Sequence, residues 1–228
     1  MKLEQEQLDV ISSYLYKKGL VQIDLKMEVL DHMANSIEKR METCGDTFSD
    51  AFKSEGLIWE RELSNISNPI IGLLFSGPKM LINKCARELK IYYVYTIIGA
   101  LLFTVVFGSI LKNSNSNNVF EFLRHLYGYV FIIILFFIIT IHFAIKRTQI
   151  KSSFSFLYKT QAVGFGFFYL VYNPLLTDIL SVFKNENFTY ISFLIYNLIL
   201  FLSPIFFIIY KQHLRVLKKI RAIKNVEL

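Results

Sequence analysis

LYGYVFIIILFFIITIHFAI, from Leu126 to Ile145, is the stretch on which the reading of the chain turns. Twenty residues at about 1.5 Å rise give a helix about 30 Å long, the thickness of the hydrocarbon core of a bilayer. His142 is the one side chain in it that titrates near neutrality, and it stands one turn from the end. Lys146, Arg147 and Lys151 follow immediately. Cations packed against one end of an apolar span mark that end as cytoplasmic, so this stretch both locates a membrane and orients the chain in it.

The remaining composition agrees. The chain has 228 residues, 54% of them hydrophobic and 16% aromatic, with a mean hydropathy of +0.42. A soluble domain of this size needs a polar skin, and lipid must take the apolar excess. The net charge of +7 would suggest a nucleic-acid surface if it lined one soluble face. Here the cations gather at the ends of apolar blocks, which points to anionic lipid headgroups and argues against nucleic acid. No cleavable signal peptide is expected ahead of the first span, because MKLEQEQLDVISSYLYKKG is polar and amphipathic. Cys44 and Cys85 have no CxxC or Cys/His spacing and read as reduced, unpaired thiols.

Three further apolar blocks join the first. The spans are expected at about 91–111, 126–145, 160–183 and 189–210, with a basic tail at 211–228. Tyr92, Tyr93 and Tyr95 form an interfacial belt at the start of the first. The connections KNSNSNN (112–118) and KNENF (184–188) carry little charge and suit the outer face. The segments before the first span, between the second and third, and after the fourth are densely basic. Four spans with both termini in the cytoplasm, in a plasma membrane, satisfy this pattern. The tail HLRVLKKIRAIKNVEL places Leu214, Leu217, Ile220 and Ile223 at helical spacing among cations, and is expected to continue the last span as a helix along an anionic leaflet.

Residues 1–68 read as a small cytosolic domain of three helices. Leu8, Ile11 and Leu15 make the stripe of the first, which Gly19 closes. Ile23, Met27, Leu30, Ala34, Ile37 and Met41 step by threes and fours along the second, up to Gly45. Thr47 to Asp50 supply a capping box for the third, with Phe48, Ala51, Phe52 and Trp59 inside. Residues 69–90 link this domain to the membrane. Asn68-Pro69 and Gly77-Pro78 frame IIGLLFSG, which is too short to span. It either lies against the headgroups or packs beneath the soluble domain. Pro78 can open a juxtamembrane helix bearing Lys79, Lys84, Arg87 and Lys90.

The segment DLKMEVLDHMANSIEKRMETCGDTFSDAF resembles the bacterial HAAS-type helical domain. That family shows an acidic-apolar helix with an E-x-x-x-H-like core, a glycine turn and an "S/T-F-x-x-A" helix. The matching positions are Glu28, Val29, Asp31, His32 and Ile37, then Gly45, Phe48 and Ala51. The resemblance covers about the first sixty residues. It implies a cytosolic domain ahead of several membrane helices, a role in signalling or regulation through a protein partner, and no catalytic residues.

Motifs for chemistry are sparse. HExxH, GxxxxGK[ST], GxSxG and CxxC are missing from the sequence, and Ser36-x-x-Lys39 and Ser181-x-x-Lys184 lack their companion motifs. Asn187-Phe188-Thr189 matches a glycosylation sequon beside the bilayer. Glu28, Asp31 and His32 could approach a metal from one helix, but a solvated face with local ion pairing is the simpler reading, and this face is the candidate partner surface. Within the spans Gln161, Tyr172, Asn173 and Asn197 are the polar residues that lipid penalises. Asn173 and Asn197 fall at similar depth on adjacent spans and are expected to meet. Pro174 and Pro204 should free the carbonyls of Leu170 and Leu200. Gly164 and Gly166 are expected to permit close helix approach.

The expected architecture is therefore all-α, a cytosolic three-helix domain followed by a four-helix transmembrane bundle. The expected function is non-enzymatic signalling or regulation, with no cofactor or metal, a protein partner, anionic lipid contacts and scope for self-association. A transporter component or small membrane enzyme, with Gln161, Tyr172, Asn173 and Asn197 lining a cavity between the third and fourth spans, is the alternative.

Overall fold

The computed structural model describes residues 2–112, 117–176 and 190–226. Ser181, Asp178, Lys184 and the Asn187 sequon lie outside them, as do most of residues 112–118 and all of 184–188. The described residues form an all-α chain: α1 (Gln5–Lys17), α2 (Ile23–Cys44), α3 (Phe48–Leu63), α4 (Lys79–Lys112), α5 (Asn117–Arg147), α6 (Ser153–Val171) and α7 (Tyr190–Val226), with a small β-hairpin, β1 (Asn65–Ser67) and β2 (Ser76–Pro78), between α3 and α4. They pack as two compact units, one of residues 1–88, 149–157 and 213–228, the other of 89–148 and 158–212.

The first unit takes in more chain than residues 1–68. The segment before α6 and the end of α7 belong to it as well. Ile11 and Leu15 of α1, Ala51 and Leu63 of α3, and Leu81, Ile82 and Cys85 of α4 are among its buried side chains. Burying one such aliphatic side chain is worth about 1.5–3 kcal/mol. The inner face of α2 is Leu25, Val29, Met33, Ala34 and Ile37. This corrects the expected seam: Met27 is exposed, while Leu25, Val29 and Met33 fill the core. Two apolar stripes fit the helical period on α2, and packing selected the one with four-residue steps.

Local chemistry fixes the helix ends. Gly19, at φ +85°, lets the Leu20 amide reach the Leu15 carbonyl and the Gly19 amide reach that of Tyr16, closing α1. Gly45 adopts φ +69° at the end of α2, and the Thr47 hydroxyl accepts the Asp50 amide at the start of α3. Residues 68–75 are a hairpin loop. The strands pair antiparallel, Asn65 with Pro78, Ile66 with Gly77 and Ser67 with Ser76. Asn68 holds the turn, its side chain accepting the Ile70 amide and its carbonyl the amides of Ile71 and Gly72. Ile71 is buried while Leu73 and Leu74 stand exposed.

In the second unit, α4, α5 and α7 are each long and apolar enough to cross a membrane, judged by length and composition. Leu102, Val105, Ile133 and Phe136 are more than 60% exposed, so apolar side chains cover the outside. Buried aromatic side chains fill the inside. The rings of Phe131 and Tyr169 meet edge to face at 5.1 Å, and Tyr127 and Tyr196 do so at 6.2 Å. The juxtamembrane helix and the first span form one unbroken helix, α4. Likewise α7 runs unbroken from Tyr190 into the tail, with Pro204 inside it. The third block departs from expectation: α6 stops at Val171, well before Phe183. Asn173 ends it, its side-chain oxygen accepting the Leu175 amide at 2.9 Å in an Asx turn. Pro174 therefore follows the helix and does not kink it. Its own carbonyl accepts Arg124 Nε at 2.9 Å.

Candidate functional site

The polar side chains expected inside the membrane are all described, and each is engaged. Asn197 on α7 is fully buried. Its oxygen accepts the Tyr127 hydroxyl at 2.7 Å and its nitrogen donates to Thr104 Oγ1 at 2.9 Å, which bridges α5, α7 and α4. Asn173 donates to the Gly128 carbonyl at 3.3 Å. The expected meeting of Asn173 and Asn197 is thus corrected: Asn197 bonds Tyr127 and Thr104, and the two asparagines reach adjacent residues of α5. Depth along a helix was readable from sequence, whereas rotation about its axis was not.

Gln161 on α6 accepts the Tyr93 hydroxyl of α4 at 2.7 Å and donates to Thr160 Oγ1 at 3.3 Å. Tyr172 is half-buried and stacks on Phe168 at 6.0 Å. Gly164 does not mediate helix approach, since a Cβ there would meet nothing within 4 Å. Gly128 takes that role: a Cβ there would stand 2.2 Å from Leu175 Cγ.

Around Pro204, α7 presents three consecutive carbonyls to three hydroxyls. Pro204 has no amide for Leu200, and Ser203 Oγ donates to that carbonyl at 2.7 Å. Tyr169 donates to the Ile199 carbonyl at 2.8 Å, and Thr96 to that of Phe201 at 3.4 Å. In a medium without water such side-chain donors are the means of covering an interrupted backbone.

A second polar cluster, in the first unit, had no counterpart in the sequence analysis. Asp24, in the first turn of α2, accepts the Ser153 amide at 2.8 Å and also the Ser153 hydroxyl. Lys84 Nζ stands 3.7 Å from Asp24 and 3.8 Å from Glu28. Ser152 caps α6 by accepting the Ser155 amide at 3.0 Å, and its Oγ lies 2.8 Å from Nδ1 of the fully buried His213. Cys85 Sγ donates to the Ser153 carbonyl at 3.7 Å. Burial pushes the Cys85 thiol up to about 12, with Asp24 adding to the rise, so it stays protonated and unreactive. Burial also pushes His213 down, and Asp24 opposes that shift. The partners of Ser152 and Ser153 lie 61 and 129 residues away in sequence, beyond the reach of any local pattern.

The candidate partner face lies on the outside of α2. Asp31 and His32 are exposed, and Glu28 is exposed beside Lys84. Among the described residues no group of three or more His, Cys, Asp or Glu side chains gathers to hold a metal ion. Ser36 is half-buried and Lys39 exposed on the same helix. In the tail, His213 and Leu217 are buried within the first unit, while Arg215, Lys218, Lys219 and Arg221 are exposed. One side of the tail, at His213 and Leu217, therefore meets protein, and its cations face outward. Comparison with known protein families, with characterised proteins and with solved structures finds no match.

Proposed function

We propose that this chain is a non-enzymatic signalling or regulatory protein of the bacterial plasma membrane. In this reading it crosses four times with both termini in the cytoplasm, and its cytosolic helical unit binds a protein partner through the Glu28, Asp31 and His32 face. The candidate for the fourth crossing is α6, whose residues from Tyr158 to Val171 lie in the second unit and rise about 21 Å. Lys159 lies near its basic cytoplasmic end, from which a long cation reaches the headgroups.

The observation that carries the functional reading is the state of Asn197. A solute site needs donors and acceptors free to exchange with the solute. Asn197 spends its oxygen on Tyr127 and its nitrogen on Thr104, with no exposed surface. Interhelical glue accounts for this arrangement. A transporter or enzyme built on Gln161, Tyr172, Asn173 and Asn197 would have to break these bonds at every turnover.

Photo-crosslinking tests the partner reading. A crosslinker placed at Asn35, beside the acidic face in the full-length protein, should capture one defined protein in cells. Capture should be lost when Glu28, Asp31 and His32 are replaced together by Ala. Absence of any defined product, or capture indifferent to the triple replacement, would contradict it.

A further inference from the structure

This inference rests on reading the α2 face as a partner surface and concerns how that face is governed. Two consecutive serines tie down the first turn of α6. Ser153 is held by Asp24 of α2 through both its amide and its hydroxyl, and Ser152 meets His213 of α7 at 2.8 Å. Cys85 of α4 closes on the Ser153 carbonyl. Lys84 stands almost equally far from Asp24 and Glu28, so the same cation serves the buried cluster and the outer face.

The hydrogen-bond pattern accommodates a neutral histidine, and full burial favours one. Ser152 Oγ already accepts the Ser155 amide and has its own proton to give. In the Nε2–H tautomer, Nδ1 of His213 is the acceptor for that proton. Adding a solvent proton to Nδ1 would set N–H against that hydroxyl, force the Ser152 proton to rotate away, and place a cation where water does not reach. Charged or titratable groups near this cluster include Asp24 and Glu28 on α2, Lys84, Cys85 and Glu88 on α4, Lys151 before α6, and Arg215 on α7, and of these Asp24 acts on His213. Asp24 favours the cation, but Asp24 is shared with Lys84 and Ser153, and burial outweighs it.

We propose that Ser152–His213 and Ser153–Asp24 form a proton-sensitive latch. While His213 is neutral, the foot of α6 stays clamped to α2 and Lys84 stays divided between Asp24 and Glu28. When His213 takes a proton, the clamp opens, Asp24 draws Lys84 to itself, and Glu28 is released to a partner.

Cys85 is a built-in reporter, because its thiol is buried against the Ser153 carbonyl. The full-length protein carrying Cys44→Ser, in detergent micelles, would be labelled with dithiodipyridine, each rate being divided by that of the unfolded chain at the same pH. The latch predicts strong protection at about pH 7.5 and labelling about tenfold faster or more at about pH 5, with no such rise in His213→Gln. Should His213→Gln fail to fold, Ser152→Ala, which keeps the histidine and removes its hydroxyl, should expose Cys85 at both pH values. Equal protection of the native His213 protein at both pH values, or an acid-induced rise that survives His213→Gln, would overturn the proposal. Labelling needs no partner, so this result and the crosslinking of the α2 face can fail separately.

Discussion

Ser203 Oγ lies 2.7 Å from the Leu200 carbonyl, the one acceptor in α7 that Pro204 leaves without its backbone donor. The residue before the proline thus repairs the gap that the proline makes. Ser203→Ala should lower stability by about 1 kcal/mol, within the range for polar contacts inside membranes. In a Pro204→Ala background the amide of residue 204 can reach Leu200, and the same Ser203→Ala change should cost almost nothing. A double-mutant cycle by thermal melting in detergent measures the coupling.

Asn197→Ala should destabilise the protein by about 1–2 kcal/mol, because the Tyr127 hydroxyl loses its acceptor and Thr104 a donor in a buried place. If the glue reading holds, whatever cellular function the protein has should follow the amount of folded protein left. Quantifying both in the same cells separates the two.

Gly128 and Gly164 should respond in opposite ways to alanine. A Cβ at Gly128 would lie 2.2 Å from Leu175 Cγ, so Gly128→Ala should cost about 1–3 kcal/mol and be relieved by Leu175→Ala. At Gly164 nothing stands within 4 Å, and Gly164→Ala should be neutral or slightly stabilising through helix propensity. Melting temperatures of the three variants decide it.

Burial holds His213 below its ordinary value, which means the folded state binds a proton less readily than the unfolded chain. Its contribution is fully present above the unfolded histidine pKa of about 6.5 and is lost as pH falls through the lower folded value. Stability followed by melting from neutral to acidic pH should therefore decline, and His213→Gln should flatten the part of the decline that this residue causes.

Element type was readable wherever a long stretch kept one period. The apolar block around Leu126–Ile145, the N-cap at Thr47 and the glycine stops at Gly19 and Gly45 all appear where local chemistry puts them. Tertiary choice was less accessible. Two stripes on α2 satisfied the helical period, and only packing selected Leu25, Val29 and Met33. Residues 65–78 have strands of three residues, too short for alternation to register, and Asn68-Pro69, Gly72 and Gly77-Pro78 mark breaks without saying that the flanks pair. Of the candidate intramembrane residues, each was identifiable from its cost in lipid, but its partner depended on helix rotation, which composition does not encode. The Asp24–Ser153 and Ser152–His213 pairs join residues 129 and 61 apart, a separation no local pattern spans.

Three helices, α4, α5 and α7, are long and apolar enough to cross a membrane on their own, and an odd number of crossings would put the two termini on opposite sides. The shorter α6 decides the parity. Reporter fusions or accessibility tags at both ends of the full chain test this directly, and the account predicts both in the cytoplasm. Termini found on opposite faces would remove the fourth crossing and with it the proposed topology.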